Sequence, residues 1–238
     1  MGKVRVGVIG VGYLGKFHAE KYARMNNVQL IGVFDVNRAR AEKVAARFDT
    51  RAFADYQDLM GRVDAVSIVV PTEGHFVVAA KCLNHDLDVL IEKPMTATLE
   101  QADELIKIAE SRGRIMQIGH LERFNPAVIA LKDIVHNPMF IEAHRLGIFN
   151  DRSTDVSVVL DLMIHDIDII MNVVKSEIKS IHAAGAPVIC EHADIANVRL
   201  EFGSGCVANV TASRISTKNQ RKIRMFQKDA YVLSLIHI

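Results

Sequence analysis

Cysteine is scarce in this 238-residue chain, and the few present do not pair. Cys82, Cys190 and Cys206 stand far apart, with no CxxC spacing and an odd total. That excludes a disulfide framework and fits a reducing, cytoplasmic setting. Charge of one sign is lacking too: 29 Lys and Arg face 28 Asp and Glu. A chain so balanced has no bulk field to hold nucleic acid or a membrane surface, so neither is expected as a partner. The one basic cluster, 218–224 (KNQRKIR), reads as a solvated strand or turn. Long apolar runs are missing as well. The most apolar stretch, 156–174, carries three aspartates and a histidine, which excludes a membrane span there. The first residues, MGKVRVGVIG, have a strand pattern and not that of a secretory signal. Internal repeats and low-complexity linkers are absent from the sequence.

What is present is an alternation of short apolar strands with helix-like stretches. Residues 4–9 form a strand pattern that runs into Gly10-Val11-Gly12-Tyr13-Leu14-Gly15, then a helical stretch to Met25. Residues 28–34 make a second strand, ending at Asp35, and 38–48 have helical spacing. Strands follow at 65–70, 88–91 and 115–118, with helices at 73–84 and 98–112 between them. Apolar strands that each lead into a helix predict an α/β fold, a Rossmann doubly wound parallel sheet over 1–120. After Gly119 the texture changes. Helices are expected over 125–136 and 158–174, and strands over 139–147, 178–186, 194–202, 206–213 and 222–227, several on tight turns. Residues 121–238 are therefore expected to form an α+β domain with a mainly antiparallel sheet, which the resemblance described below makes an open-sheet substrate and oligomerisation domain. The last six residues, LSLIHI, suit this pattern poorly. Back-translated, they match a transposon-end sequencing adaptor, and the expectation is a C-terminally incomplete fragment with an artefactual tail.

Gly10-x-Gly12-x-x-Gly15 lies between a strand and a helix. In a dinucleotide site the first glycine allows the tight turn, the second admits the pyrophosphate, and the third lets helix and strand pack closely. The helix start offers N–H groups and partial positive charge to the phosphates. Asp35 follows Gly15 by 20 residues. An acid there hydrogen-bonds ribose hydroxyls and repels a 2′-phosphate, favouring NAD over NADP; Arg38 nearby softens that preference. The competing reading is a glycine-rich turn without a ligand. Strand, helix and acid at the expected spacing favour the dinucleotide.

Residues 89–95 read VLIEKPM. Parallel strands end at the ligand crevice, so this strand delivers Glu92 and Lys93 to the cofactor edge. Pro94 then stops the sheet. Val70-Pro71-Thr72 ends its own strand in the same way. The alternative for Glu92 and Lys93 is a surface ion pair. Along 158–174, Asp161, His165, Asp168 and Asn172 recur at steps of four, three and four, which puts them on one stripe of an otherwise apolar helix. Such a helix is buried, with the stripe at a cleft or in a satisfied polar network. Asp166 points away and needs its own partner. Asp161, one turn before His165, can orient that imidazole as a base. A purely structural network and a metal site stay open for the same residues.

Taken together, GVIGVGYLG, VPT, EKP and LDLMIHDID resemble the Gfo/Idh/MocA oxidoreductases over most of the chain. The resemblance implies hydride transfer from a sugar hydroxyl to NAD, with Lys93 as catalytic lysine, His165 as general acid/base and Asp161 sharing their site. It implies cofactor contacts from Gly10, Gly12, Tyr13, Leu14, Gly15, Asp35, Val70, Pro71, Thr72, His75, Glu92 and Lys93. It implies no metal, and self-association through the C-terminal sheet. One departure is visible: many members carry glycine between the acid and the histidine, where this chain has Leu162-Met163-Ile164, so a more apolar pocket floor is expected. Within the family, GHLERFNPA and RSTDVSVVLDLMIHDIDI are similar to the branch that oxidises the 3-hydroxyl of UDP-N-acetylglucosamine in lipid A biosynthesis. Arg123, Asn125 and Asp168 then become substrate candidates, since an arginine fork suits a diphosphate. Arg123 and Asn125 have a second reading, a helix-start network with Asn125 as cap before Pro126. Two other functions stand as alternatives: a family enzyme acting on another sugar or a polyol such as an inositol, and a non-catalytic NAD-binding sensor.

Overall fold

The computed structural model describes residues 2–131, 133–150 and 156–237. The chain divides into two compact units, Met1–Gly119 and His120–Ile238. In the first, β1 (Val4–Ile9), β2 (Val28–Phe34), β3 (Arg51–Ala52), β4 (Ala65–Ile68), β5 (Asp88–Ile91) and β6 (Met116–Ile118) form one parallel sheet in the order β3-β2-β1-β4-β5-β6. Val8 aligns with Val33 on one side and with Ser67 on the other. The chain winds outward from β1, then restarts at β4 and winds the other way. The crevice at that reversal, beyond the carboxyl ends of β1 and β4, is where such sheets bind ligands.

Helices α1 (Gly15–Arg24), α2 (Arg38–Arg47), α3 (Thr72–Asn84) and α4 (Leu99–Arg112) fill the connections. The strands are apolar on both faces because both are covered. One core joins Val8, Val33, Ala19, Ala41 and Val44; the other joins Ile68, Ile91, Ala79, Leu83 and Leu105. Cys82 lies in the second core, where burial pushes its thiol up to about 12 and leaves it inert. The strand expected over 65–70 stops at Ile68, because Val69 and Val70 already turn towards α3. β3 and a 3-10 turn at Tyr56–Leu59 escape a reading by periodicity, since two to four residues show no period.

The second unit holds β7 (Phe140–Leu146), β8 (Ile178–Ala186), β9 (Ile195–Phe202), β10 (Val207–Ser213), β11 (Gln220–Phe226) and β12 (Tyr231–His237), in the order β12-β11-β7-β10-β9-β8. Every pairing is antiparallel except β7 with β10. That exception arises because the chain leaves β7 through a helix and returns at the far edge, β8. The helix α5 (Pro126–Leu131) is shorter than the 125–136 expected. The 158–174 helix is present, but it opens as a π turn at Val159–Met163, with the Ile164 N–H bonded five residues back to Val159 O, before α6 (Ile164–Val174). Met163, Ile169, Ile170 and Val174 pack in the same core as Ile141, Ala143, Val210 and Ala212. Met171 is 52% exposed, so the helix is not enclosed all round as expected. Residues 152–155 of the RSTD stretch, and Ile238 of the tail, lie outside the described residues. Among the described residues, no helix is long and apolar enough to cross a membrane.

Candidate functional site

The glycine loop leaves the end of β1 with two positions closed and one open. Gly10 has φ +88°, and a Cβ there would lie 2.4 Å from Val69 O. At Gly15 a Cβ would lie 1.9 Å from Gly10 O. Neither position admits a side chain. Gly12 differs: only Arg40 Nη1, 3.7 Å away, approaches its Cβ position. Its open space is where a pyrophosphate must come close to the backbone. α1 then begins with no side-chain cap at Leu14, whereas Asn37 caps α2 and Thr98 caps α4. An anion at the start of α1 meets no competing side chain there. The loop therefore fits the pyrophosphate of a dinucleotide.

Asp35 lies just past β2 as predicted, but its carboxylate is turned inward. Oδ2 accepts from the Val11 N–H at 2.9 Å and Oδ1 from the Asn37 N–H at 2.9 Å, and the residue is only 7% exposed. From there the carboxylate braces the glycine loop. Arg38, expected as the nearby cation, pairs with Glu42 one turn on at 2.7 Å. Arg40, overlooked in the sequence, takes its place, with Nη1 3.4 Å from Asp35 Oδ2.

Glu92 is not part of a surface ion pair. It is buried, and Oε1 lies 3.0 Å from His18 Nε2. His18 Nδ1 reaches Ser67 Oγ at 3.2 Å, and Tyr22 OH meets the same hydroxyl at 2.7 Å. Burial raises the Tyr22 phenol above its ordinary value, against the opposing pull of that Ser67 bond. His18, Tyr22 and Ser67 were missed as site residues. The available signal was Ser67, the lone polar residue in the buried strand AVSI. Lys93 is half-buried just past β5; its N–H donates to Glu92 Oε2 at 3.3 Å, and its bond to Pro94 is cis. His75 is 1% exposed, with Nδ1 2.8 Å from Pro94 O and Nε2 2.9 Å from Val70 O, so its ring stands as a strut between the two loops. Val70 and Tyr13, Leu14, Pro71 keep exposed or half-exposed surface near the loop ends, while Thr72 is buried at the start of α3.

In the second unit the stripe is half-buried at Asp161, His165, Asp168 and Asn172. Asp166 points away and has the partner it requires: Arg145 Nε and Nη2 donate to its two oxygens at 2.9 and 2.7 Å, both side chains buried. Burial acts to lower the Arg145 guanidinium, but its bonds to Asp166 outweigh that and hold it above the usual value. Glu122 extends the chain of charge, 3.6 Å from Arg145 Nη1 and 2.9 Å from Arg221 Nη1. Arg123 is not a free fork. Its Nε and Nη2 close on Asp168 at 2.8 and 2.5 Å. Asn125 Oδ1 accepts from the Ala127 N–H at 3.0 Å, capping the start of α5. Asn125 thus takes the helix-start position weighed for it, whereas Arg123 reaches out of that turn to Asp168 on α6. No group of three or more His, Cys, Asp or Glu is placed to hold a metal among the described residues.

A glycine loop with an open pyrophosphate position, set at the reversal of a doubly wound sheet, defines a dinucleotide-binding fold. Residues 4–120 match the family model described as oxidoreductase family, NAD-binding Rossmann fold, and residues 134–231 match the GFO/IDH/MocA C-terminal domain. The chain belongs to the Gfo/Idh/MocA family of NAD-dependent oxidoreductases. It is 43% identical over 96% of its length, and 72% of the relative's, to a UDP-N-acetylglucosamine 3-dehydrogenase of Acidithiobacillus ferrooxidans. The solved structure of that name from the same organism superposes with a TM-score of 0.92 at 42% identity, covering 99% of this chain and 78% of the other. An inositol 2-dehydrogenase of Rubrobacter xylanophilus is 31% identical over 77% of this chain and 56% of its own. GenD2 from gentamicin A biosynthesis, solved with NAD, shares the fold at a TM-score of 0.90 and 19% identity, covering 99% of this chain and 73% of that one.

Proposed function

We propose that this chain oxidises the 3-hydroxyl of UDP-N-acetylglucosamine to a ketone, with His165 as acid/base and Lys93 assisting. The observation that carries the reading is the 43% identity, over 96% of the chain, to an enzyme named for that reaction. NAD, when bound, supplies the hydride acceptor. The open Gly12 position and the uncapped start of α1 bind its pyrophosphate. Glu92, fixed by His18, holds the backbone N–H of Lys93. The Lys93 ammonium steadies negative charge as it develops on the substrate oxygen. His165 takes the hydroxyl proton at a ring nitrogen as the carbon loses hydride, and Asp161 orients the ring. Asp168, locked by Arg123, forms part of the substrate rim with Arg123 and Asn125.

The protein also self-associates, in this reading, through the open face of its second sheet. Phe140, Phe226 and Tyr231 cluster on that face, with ring centroids 6.2 and 4.9 Å apart, and Tyr231 is exposed. Light scattering checks it: a monomer at all concentrations contradicts the assignment.

The substrate assignment is tested by mixing the protein with NAD and UDP-N-acetylglucosamine and following NADH. Steady NADH formation is expected. The inositol relative makes myo- and scyllo-inositol the informative controls. NADH from an inositol with none from the nucleotide sugar would overturn the substrate.

A further inference from the structure

The basic stretch 218–224 (KNQRKIR) has no part in the reaction as described so far. Its residues divide once β11 is paired with β7. Lys222 and Arg224 stand opposite His144 and Glu142, and Arg224 forms an ion pair with Glu142 on that face. Arg221 stands opposite Arg145, whose side chain turns to α6. Alternation along the strand thus sends Arg221 to the helix-covered side, away from its basic neighbours. Two arginines directly opposite each other repel. Glu122 relieves this by meeting both, 2.9 Å from Arg221 Nη1 and 3.6 Å from Arg145 Nη1.

The two arginines differ in what they have left to give. Arg145 is buried and closed on both oxygens of Asp166. The Arg221 side chain is 42% exposed, and Nη1 to Glu122 is its one hydrogen bond among the described residues. Its Nε and Nη2 remain available. Arg123, the fork expected for a diphosphate, has spent those same two nitrogens on Asp168. Glu122 also ties Arg221 to Asn125, whose Nδ2 donates to the other carboxylate oxygen at 3.3 Å. Lys218 adds a second cation, exposed and in no ion pair among the described residues. Its loop is pinned: Asn219 Oδ1 accepts the Ile148 N–H at 3.0 Å, and the Ser216 N–H donates to Gly147 O at 2.9 Å. A Cβ at Gly147 would lie 3.8 Å from both Asn219 Oδ1 and Leu162 Cδ1. Leu162 follows Asp161, so this loop comes up beside the turn that carries the acid. We propose that Arg221 and Lys218 bind the diphosphate of the nucleotide sugar, with the Nε–Nη2 edge of Arg221 on the phosphate oxygens. The inference rests on the nucleotide-sugar reading above and assigns the groups that hold the unreactive part of that substrate.

Calorimetry with UDP on the full chain, NAD present, tests it, because UDP carries the diphosphate and no reacting sugar. Wild type is expected to bind UDP. Arg221→Gln and Lys218→Ala are each expected to weaken UDP roughly tenfold, the effect of losing one charge-assisted phosphate contact, with NAD affinity unchanged. Arg221→Lys keeps the charge without the fork and should fall between wild type and Arg221→Gln. Glu122 retains Arg145 and Asn125 when Arg221 is replaced, and Lys218 is exposed, so neither change strands a buried charge. UDP affinity unmoved by Arg221→Gln, or no UDP binding by wild type, overturns the proposal even if UDP-N-acetylglucosamine is turned over. UDP held through Arg221 with no NADH formed from the nucleotide sugar supports this site and overturns the assigned reaction.

Discussion

The Glu92 carboxylate meets the His18 imidazole at 3.0 Å, and the other imidazole nitrogen reaches Ser67 at 3.2 Å. One ring therefore ties α1, which starts at the glycine loop, to the ends of β4 and β5. The glycine loop and the strand that presents Lys93 are held by a shared polar joint.

Removing one end of that joint strands the other. Glu92→Ala leaves the His18 nitrogen without its acceptor at an almost closed site, a cost of about 1–3 kcal/mol. Urea unfolding should show the midpoint fall, with Glu92→Gln falling less because it still accepts a hydrogen bond. Gly119→Ala probes the same carboxylate, since its Cβ would come within 2.9 Å of Glu92 Oε1 and must push it aside. Lower NAD affinity is expected in that variant, and unchanged affinity would separate the joint from cofactor binding.

Arg145 and Asp166 form the buried pair that seats α6 on its sheet. Asp166→Leu alone leaves a buried guanidinium uncompensated and is expected to cost about 3–5 kcal/mol. Adding Arg145→Met removes the stranded charge and should restore most of that loss. A double-mutant cycle from chemical denaturation measures it. A double-variant loss equal to the sum of the two single losses would mean the pair has no special coupling.

Acid should loosen the second unit through Asp194. Its carboxyl is held well below the usual range by the N–H groups of Cys190 and Ile189 first, against burial, and then by Arg214 and the Val188 N–H. A depressed carboxyl stabilises the folded state above its unfolded value, near about 3.9, and that stability is lost as pH falls below it. Unfolding midpoints should therefore drop steeply below about pH 4. Asp194→Asn should flatten that slope while lowering stability at neutral pH. A wild-type slope surviving in the variant would assign acid lability to other groups.

Much of the fold was legible because strong periodicity leaves little choice. The bounds of β1, β2, β5 and β8 follow directly from runs such as VQLIGVF between turn residues. The partner demanded by Asp166 was legible too, since a lone carboxylate on a buried helix face must be paired. What stayed hidden depends on direction and not on spacing. The interval from Gly15 locates Asp35 but does not say that its carboxylate turns back onto Val11. The position of His75 after VPT does not reveal that both its nitrogens face main-chain carbonyls. A π turn widens the helix by one residue and barely disturbs the stripe that announces it. Arg123 reads as an open fork until Asp168 is placed against it.

In the proposed reading, Lys93 and His165 serve chemistry and not cofactor capture. The direct measurement is NADH formation from UDP-N-acetylglucosamine, alongside NAD affinity by calorimetry, in Lys93→Ala and His165→Ala. The account predicts turnover reduced by 10²–10⁴-fold for His165→Ala, the usual contribution of a positioned acid/base, and a comparable loss for Lys93→Ala, with NAD binding near normal in both. Full turnover in either variant would contradict the role given to that residue.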